Sequence, residues 1–186
     1  MFKIIKKEPL NPSMTRMVIE APFVARKAMP GQFIILRVNE TGERIPLTIA
    51  DYDREAGTVT IIYQKVGKST LLLDEQEAGG YLMDFIGPLG KASELEGYKK
   101  AAVIGGGAGC AIAYPQAKAL HAMGTKVDMI AGFRDKDLII LENEMREASD
   151  RLIVMTDDGS NGNKGFVTHA LQKLLDEGNE YDVVIA

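Results

Sequence analysis

Residues 101–120 read AAVIGGGAGCAIAYPQAKAL, an apolar run followed by a glycine cluster and then by a segment of helical character. This order is typical of a strand, a phosphate-binding turn and a helix, because glycines let the backbone approach a pyrophosphate and a helix start directs amides at it. Gly105 and Gly107 fit the spacing G-x-G-x-x-G, but Cys110 stands at the third glycine. The stretch predicts a nucleotide turn, and the alternative is a tight turn that needs glycine only for its geometry.

The segments around this turn alternate between apolar runs and helical patterns. The runs KAAVI, TKVDMIAG, RLIVMT and YDVVIA suit buried parallel strands, and CAIAYPQAKALHAMG, LIILENEMREASD and FVTHALQKLLDEG are helical segments between them. This alternation predicts right-handed crossovers and a doubly wound parallel sheet. The last run ends with residue 186, where such domains normally continue into a loop on the ligand side. We therefore expect this α/β domain to be incomplete at its C-terminus.

The preceding half of the chain has the pattern of β-structure. KIIKKEPL, MTRMVIEA, QFIILRV, IPLTIADYD, TVTIIYQKV and YLMDFIGPL are short apolar runs separated by turn residues. Such strands at near-regular spacing predict an antiparallel barrel or sandwich. STLLLDEQEAGG is the exception, a short predicted helix with Ser69 or Thr70 as its cap. We place the domain boundary after residue 97, so that the β domain spans 1–97 and the α/β domain 98–186.

Composition narrows the classes of function. The 186 residues carry a net charge of −4 with both signs mixed along the chain, which disfavours a nucleic-acid or anionic-membrane partner. The single cysteine, Cys110, excludes an internal disulfide, a cysteine-rich zinc site and an iron–sulfur cluster held by these residues alone. A reducing cytoplasm is the simplest compartment.

Two motifs in the β half are further candidates for an anionic ligand. In YQKVGKST, residues 63–70, Gly67 precedes a lysine and two hydroxyls at a helix start, which suits a phosphate. An ordinary capped turn explains the same residues. In ERIPLTIADYD, Arg44 suits a phosphate and Thr48 suits a flavin edge or its ribityl chain. A solvated strand with one arginine is the alternative there.

Taken together and in this order, the motifs resemble the ferredoxin–NADP reductase superfamily. The stretches RIPLTIAD, VGKSTLLL, IGPLG, VIGGGAG, GFRDKDLIILE and TDDGSNGNKGFVT cover nearly the whole chain. Within the superfamily they are most similar to the electron-transfer subunits of dihydroorotate dehydrogenase B and to the small flavoprotein subunit of NADH-dependent ferredoxin:NADP oxidoreductase, also called sulfide dehydrogenase. The resemblance implies a Greek-key β-barrel that binds FAD, followed by a domain that binds NAD(H) or NADP(H).

The resemblance also assigns candidate ligands residue by residue. Those implied for FAD are Arg44, Pro46, Leu47, Thr48, Gln64, Val66, Gly67, Lys68, Ser69 and Thr70. Those implied for the nicotinamide dinucleotide are Gly105, Gly106, Gly107, Ala108, Gly109 and Cys110 in the turn, with Arg134 after the second α/β strand. Asp158 is a further candidate because it follows the third α/β strand, at the ligand side of the sheet. For Cys110 and Asp158, a packing role and a turn-forming role are the respective alternatives. No side chain is implied as an acid or a base, and none as a metal ligand.

The sequence departs from the family pattern in the β half. Ile45 is inserted between Arg44 and Pro46, so a bulge is expected if Arg44 is to reach a phosphate, because a one-residue shift reverses the face of a strand. Leu47 offers no aromatic ring to the flavin. Relatives also continue into a cysteine-rich segment that binds a [2Fe–2S] cluster, which we expect beyond residue 186.

The function implied is that of an electron-transfer subunit in which a hydride passes between NAD(P)H and FAD, and single electrons then pass to an iron–sulfur acceptor. The implied partners are a larger oxidoreductase subunit and a ferredoxin-type carrier. Two alternatives stay open: a stand-alone NAD(P)H:ferredoxin or flavin reductase, and a non-redox nucleotide-binding module of methyltransferase type. Arg134 favours NADPH, whereas Asp135 and Asp137 favour NADH.

Overall fold

The computed structural model describes residues 1–186, which form two compact units, Met1–Ser93 and Glu94–Ala186. The division falls four residues before the boundary expected from the sequence. The first unit contains seven strands and two short helices: β1 (Phe2–Asn11), β2 (Met14–Glu20), α1 (Pro22–Lys27), β3 (Phe33–Arg37), β4 (Ile45–Asp53), β5 (Thr58–Gln64), α2 (Lys68–Asp74), β6 (Tyr81–Leu82) and β7 (Asp84–Leu89).

These strands form one antiparallel sheet in the order β6-β1-β2-β5-β4-β3-β7. Its two outer strands are consecutive in the chain, so the segment 81–89 pairs with β1 at one end and with β3 at the other and closes the sheet into a barrel. The strand predicted there is divided at Met83, whose N–H donates to the carbonyls of Arg37 and Val38 at 3.0 and 3.2 Å. The barrel predicted from the sequence is thereby confirmed.

Alternate side chains of the strands fill the barrel. Met17 and Ile19 of β2 are fully buried, as are Ile34 and Leu36 of β3, which is the period-2 pattern of a one-sided sheet. Helix α1 covers one end of this core with Val24 and Ala25. The strand pattern does not predict α1, which has only two buried residues and begins with Pro22, whose fixed φ suits a first helical position.

The second unit is a parallel sheet with helices on both faces. Its elements are β8 (Lys100–Gly106), α3 (Cys110–Ala122), β9 (Lys126–Phe133), α4 (Glu142–Glu147), β10 (Arg151–Thr156), α5 (Val167–Asp176) and β11 (Val183–Ile185), with 3₁₀ turns at Gly107–Gly109 and Lys136–Leu138. The strand order is β10-β9-β8-β11, and every neighbouring pair is parallel. This order matches the first four strands of a doubly wound fold, as predicted.

The prediction of a helix over LIILENEMREASD is only partly correct. The helical turns are confined to α4, because Leu141 before it adopts a left-handed backbone with φ 56°. Ile140 and Leu141 are buried instead in the connection that precedes α4. The apolar residues of this stretch serve the packing of a loop, which periodicity cannot distinguish from a helix face.

A buried carboxylate ties the strands of the second unit together. Asp128 on β9 is 5% exposed and accepts a hydrogen bond of 2.7 Å from the Tyr181 hydroxyl. The Lys100 ammonium lies 3.8 Å from one of its oxygens and Arg151 Nε lies 3.4 Å from the other. Burial, together with this hydrogen bond and the Asp128 charge, raises the pKa of Tyr181, so its hydroxyl stays protonated as a donor.

We expect Asp128→Ala to lower the free energy of unfolding by about 2 kcal/mol, because it leaves two cations and a hydroxyl without their shared partner. Urea unfolding followed by circular dichroism measures the change. Glu180→Ala is the control, since Glu180 is exposed and has no partner. Equal unfolding midpoints for the two variants would contradict the prediction.

Candidate functional site

The glycine turn follows β8 at the carboxyl edge of the parallel sheet. β8 ends at Gly106, one 3₁₀ turn spans Gly107–Gly109, and α3 begins at Cys110. The next strand on the other side of β8 is β11, so the chain reverses its winding direction beside this turn. Doubly wound sheets bind their ligands at such a switch point. The turn therefore lies where a nucleotide site is expected.

The glycines of the turn are required for two different reasons. A Cβ at Gly105 would lie 2.8 Å from Cys110 Cα and 3.1 Å from Cys110 N, and Gly107 has φ +51°. At Gly105 the close backbone excludes a side chain, and at Gly107 the positive φ favours glycine over other residues. By contrast, a Cβ at Gly109 would meet nothing within 4 Å, and at Gly106 only one carbonyl oxygen at 4.0 Å. Local geometry therefore explains Gly105 and Gly107, while Gly106 and Gly109 leave open space that a ligand can enter.

Cys110 packs inside the unit rather than facing the turn. Its side chain is buried, and this burial raises the thiol pKa to about 12, opposed only by a contact with the backbone of Gly132. A thiol in this state is protonated at neutral pH and is a weak nucleophile. This supports the packing role for Cys110, so the third position of the motif is filled by a small residue inside the fold.

The ends of β9 and β10 form the rim next to the turn. Arg134 follows β9 and is exposed; its carbonyl accepts from the Asp158 amide at 3.4 Å, and its guanidinium makes no hydrogen bond or ion pair. Asp135 instead accepts from the Asp137 amide at 2.9 Å, and Asp158 accepts from the Ser160 amide at 2.9 Å. The hydrogen bonds from Ser160 lower the pKa of Asp158. Asp158 is thus a turn-forming residue in this structure, and its role toward a ribose stays a prediction.

The loop after β10 is held rigidly against this rim. Thr156 is fully buried and donates to Asn161 Oδ1 at 2.8 Å, while the side-chain amides of Asn161 and Asn163 both donate to Val154 O. Ser160 Oγ accepts from the Lys136 amide at 2.8 Å. The polar stretch TDDGSNGNKG is therefore an ordered loop that also covers the free edge of β10.

In the first unit, the second candidate site surrounds the start of α2. Gln64 ends β5, Val66 is largely exposed, and Gly67 begins the helix with open space around it. Thr70 Oγ1 accepts from the amides of Val66 and Gly67 at 3.2 and 3.1 Å. The cap predicted at Ser69 or Thr70 is therefore wrong: Gly67 is the cap residue, and Thr70 stabilises the turn from inside the helix.

The ERIPLT motif lies beside this loop. Glu43 Oε2 accepts a hydrogen bond of 3.1 Å from Ser69 Oγ, which joins two segments that are 26 residues apart. Arg44 precedes β4 and its guanidinium donates to Asp84 Oδ2 at 2.9 Å. Pro46, Leu47 and Thr48 lie on β4 and pair with β3 in regular register. The bulge expected at Ile45 is absent, because Arg44 lies outside the strand.

Sequence patterns do not reveal Glu43 and Asp84. Asp84 also accepts from Arg37 Nε at 2.8 Å, and these arginine contacts, Arg37 first, lower the pKa of its carboxyl. Each residue contacts a partner 26 to 47 positions away, so only the barrel topology brings it to the candidate site. No group of His, Cys, Asp and Glu side chains in the structure is arranged to hold a metal ion. None of its helices has the length and apolarity needed to cross a membrane.

No family model matches the chain. Among curated proteins, it is 42% identical over 181 residues to a protein of Thermotoga maritima named dihydroorotate dehydrogenase B (NAD(+)), electron transfer subunit homolog, covering 97% of this chain and 64% of that protein. It is 32% identical over 197 residues to the dihydroorotate dehydrogenase B (NAD(+)), electron transfer subunit of Bacillus caldolyticus, covering 98% and 75%. Among solved structures, the NADH-dependent reduced ferredoxin–NADP oxidoreductase superposes with a TM-score of 0.92 at 41% identity, covering 99% and 66%.

A barrel followed by a doubly wound sheet with a glycine turn after its first strand defines the ferredoxin reductase-like class of protein, and the solved structures place this fold there. Within that class, the chain belongs to the family of dihydroorotate dehydrogenase B electron-transfer subunits. The resemblance seen in the sequence is thereby confirmed. The chain spans slightly under two thirds of the Thermotoga maritima relative and of the ferredoxin–NADP oxidoreductase chain.

We expect Gly105→Ala to lower the free energy of unfolding by about 1–3 kcal/mol, because the new Cβ would displace backbone atoms of Cys110. Gly109→Ala is the matched control, since its φ of −62° and open surroundings accept a methyl group at a cost of less than about 0.5 kcal/mol. Thermal unfolding of the two variants measures the difference. Equal stability would show that the close approach at Gly105 does not constrain the turn.

We expect Cys110 to resist thiol reagents in the folded protein. With the thiol buried and its pKa raised, less than about a tenth should react with dithiobis(nitrobenzoate) at pH 8 within minutes, whereas one equivalent should react in denaturant. Rapid reaction of the native protein, at the rate of a free thiol, would contradict a packing role.

Proposed function

We propose that this protein is a flavoprotein electron-transfer subunit that binds FAD in its first unit and a nicotinamide dinucleotide in its second. The observation that carries the proposal is the likeness over 99% of the chain, at 41% identity, to the NADH-dependent reduced ferredoxin–NADP oxidoreductase, whose structure is described for flavin-based electron bifurcation. The names of its relatives in the dihydroorotate dehydrogenase B family support the same role.

The residues of the first unit suit the pyrophosphate of FAD. The first hydrogen bond of α2 joins Leu71 N to Gly67 O, so the amides of Lys68 and Ser69 precede the helical ladder and are available to a ligand. Gly67 leaves the approach open, and Lys68 and Arg44 supply positive charge. Thr48 would face the flavin side, and Gln64 and Val66 would line the path of its ribityl chain.

When bound, FAD would supply the chemistry of the reaction, namely the exchange of a hydride with NAD(P)H at its N5 atom and of single electrons with an iron–sulfur acceptor. The side chains at both candidate sites bind and orient. We propose no catalytic acid or base among them, because the chemistry would belong to the cofactors.

The residues of the second unit suit a dinucleotide. Gly106 and Gly109 leave the turn accessible to a pyrophosphate, and α3 begins directly behind it. The Arg134 guanidinium is a cation on this rim without a hydrogen bond or ion pair, while the carboxylates of Asp135 and Asp158 are engaged in local turns. NADH remains our proposal because two relatives carry NAD(+) in their names. Comparing the rates of flavin reduction by NADH and by NADPH decides between the two.

The electron acceptor is proposed to lie outside residues 1–186. Cys110 is the only cysteine of these residues, so they cannot supply the four cysteine thiolates that usually ligate a [2Fe–2S] cluster. We propose a cluster on a further segment or on a larger partner subunit, a ferredoxin-type carrier as the final partner, and the cytoplasm as the compartment. A stand-alone NAD(P)H:ferredoxin or flavin reductase would bind the same cofactors but would not co-purify with a second subunit.

The purified protein should take up FAD and show the yellow flavin spectrum. We expect Arg44→Ala to weaken FAD binding about tenfold, the size of one charge-assisted contact. Titration of the apoprotein, followed by flavin fluorescence, measures the dissociation constant. Arg26→Ala is the control, because Arg26 is an exposed arginine of the same unit without a partner. A colourless protein that binds no FAD would refute the proposal and favour a non-redox nucleotide module of methyltransferase type.

A further inference from the structure

The C-terminal end of α2 is anchored to the barrel by one carboxylate. Asp74 Oδ1 accepts a hydrogen bond of 2.7 Å from Thr15 Oγ1 and one of 3.1 Å from the Tyr63 hydroxyl. Thr15 lies on β2 and Tyr63 on β5, and the two residues are direct partners in the register of these strands. Their side chains therefore leave the sheet on the same face and converge on a single acceptor atom.

The hydrogen bonds to Asp74 are energetically important because their two donors are buried. Thr15 and Tyr63 are 1% and 2% exposed, so both donors lie on side chains that are almost entirely buried. A buried hydroxyl without an acceptor is costly, which makes the position of Asp74 strongly determined by the barrel. Leu73 next to it is also fully buried in the barrel core.

Two cations complete the anchor. Lys65 Nζ lies 3.7 Å from Asp74 Oδ2, and Lys7 of β1 donates to the Asp74 carbonyl and pairs with Glu77 at 3.0 Å. Burial alone would raise the pKa of Asp74, but the hydrogen bonds from Thr15 and Tyr63 and the lysine charges outweigh it and lower the pKa. The carboxylate is therefore ionised at neutral pH and below.

The opposite end of α2 has no comparable attachment. A Cβ at Gly67 would meet nothing within 4 Å, and the one side-chain hydrogen bond from residues 67–70 to another segment is that between Ser69 and Glu43. The helix has seven residues and is about 10 Å long. Most of its side-chain hydrogen bonds and ion pairs to the barrel are therefore made at the end remote from its first amides, through Asp74.

We propose that Asp74 is a positioning residue for the flavin: by holding α2 against β2 and β5, it orients the segment 67–70 toward the FAD pyrophosphate. This inference rests on the proposed function, because it assumes that the segment binds FAD. Asp74 itself lies at the end of α2 remote from that segment. It acts through the helix, and its loss should reduce flavin affinity even where the barrel stays folded.

The test compares Asp74→Ala with Glu75→Ala. Glu75 is the adjacent acidic residue, is exposed and has no side-chain partner, so both variants lose the same charge at the same helix end. We expect the dissociation constant of FAD to rise at least about tenfold for Asp74→Ala and by less than about twofold for Glu75→Ala. The visible circular dichroism of the bound flavin should change only for Asp74→Ala.

Affinity is measured well below the unfolding temperature of each apoprotein, which separates positioning from a purely structural role. The apparent dissociation constant is inversely proportional to the fraction of protein that is folded and able to bind. In a variant that is about 90% folded, partial unfolding alone therefore raises this constant by only about a tenth. A variant with a lower unfolding temperature and an unchanged dissociation constant would therefore overturn the inference.

A second set of variants removes the anchor from the other side. The double variant Thr15→Val with Tyr63→Phe deletes both donors at nearly constant volume and leaves the Asp74 carboxylate intact. It should weaken FAD binding as Asp74→Ala does, and Thr15→Ser with Tyr63 unchanged should restore it. If the parent protein binds FAD and all these variants bind it equally well, only the positioning role fails. If the parent protein binds no FAD, the proposed function itself fails.

Discussion

The second unit depends on the contact between the end of β8 and the start of α3. At Gly105 the strand passes so close to the backbone of Cys110 that no side chain fits between them. This approach lets a buried strand turn directly into a helix, which then packs back onto β8 and β9. The following strand, β9, then pairs parallel with β8, and the open glycines of the turn lie at the carboxyl edge of the sheet.

The first unit depends on the closure of its sheet into a barrel. A barrel has no free edges, and here closure is achieved by one segment that pairs with β1 and then with β3 on either side of Met83. Closure brings the connections after β3 and β5 next to each other, so that Glu43 reaches Ser69 and Arg44 reaches Asp84. The candidate flavin site is therefore a consequence of barrel topology, with its charged groups supplied by loops.

In both units, the candidate ligand-binding residues are mainly glycines, hydroxyls and single arginines, while several carboxylates are engaged in hydrogen bonds within the protein. The carboxylates of Asp135 and Asp158 each accept a hydrogen bond from a backbone amide within their own turn. The carboxylate of Asp74 accepts hydrogen bonds from two buried hydroxyls. Carboxylates engaged in this way repel an anionic cofactor less than free ones would. The arrangement suits proteins whose chemistry is carried by bound cofactors and whose side chains position them.

Local patterns determined much of this protein. The alternation of apolar residues predicted the barrel strands and the parallel strands, and the glycine clusters predicted the turns, because period and backbone freedom are properties of neighbouring residues. The tertiary structure decided the rest. In the structure, α4 is shorter than predicted because Leu141 has a left-handed backbone, the N-cap of α2 is Gly67, and Cys110 is buried. The tertiary structure also joined Asp74, Glu43 and Asp84 to distant partners, since contacts between residues tens of positions apart arise only when the chain has folded.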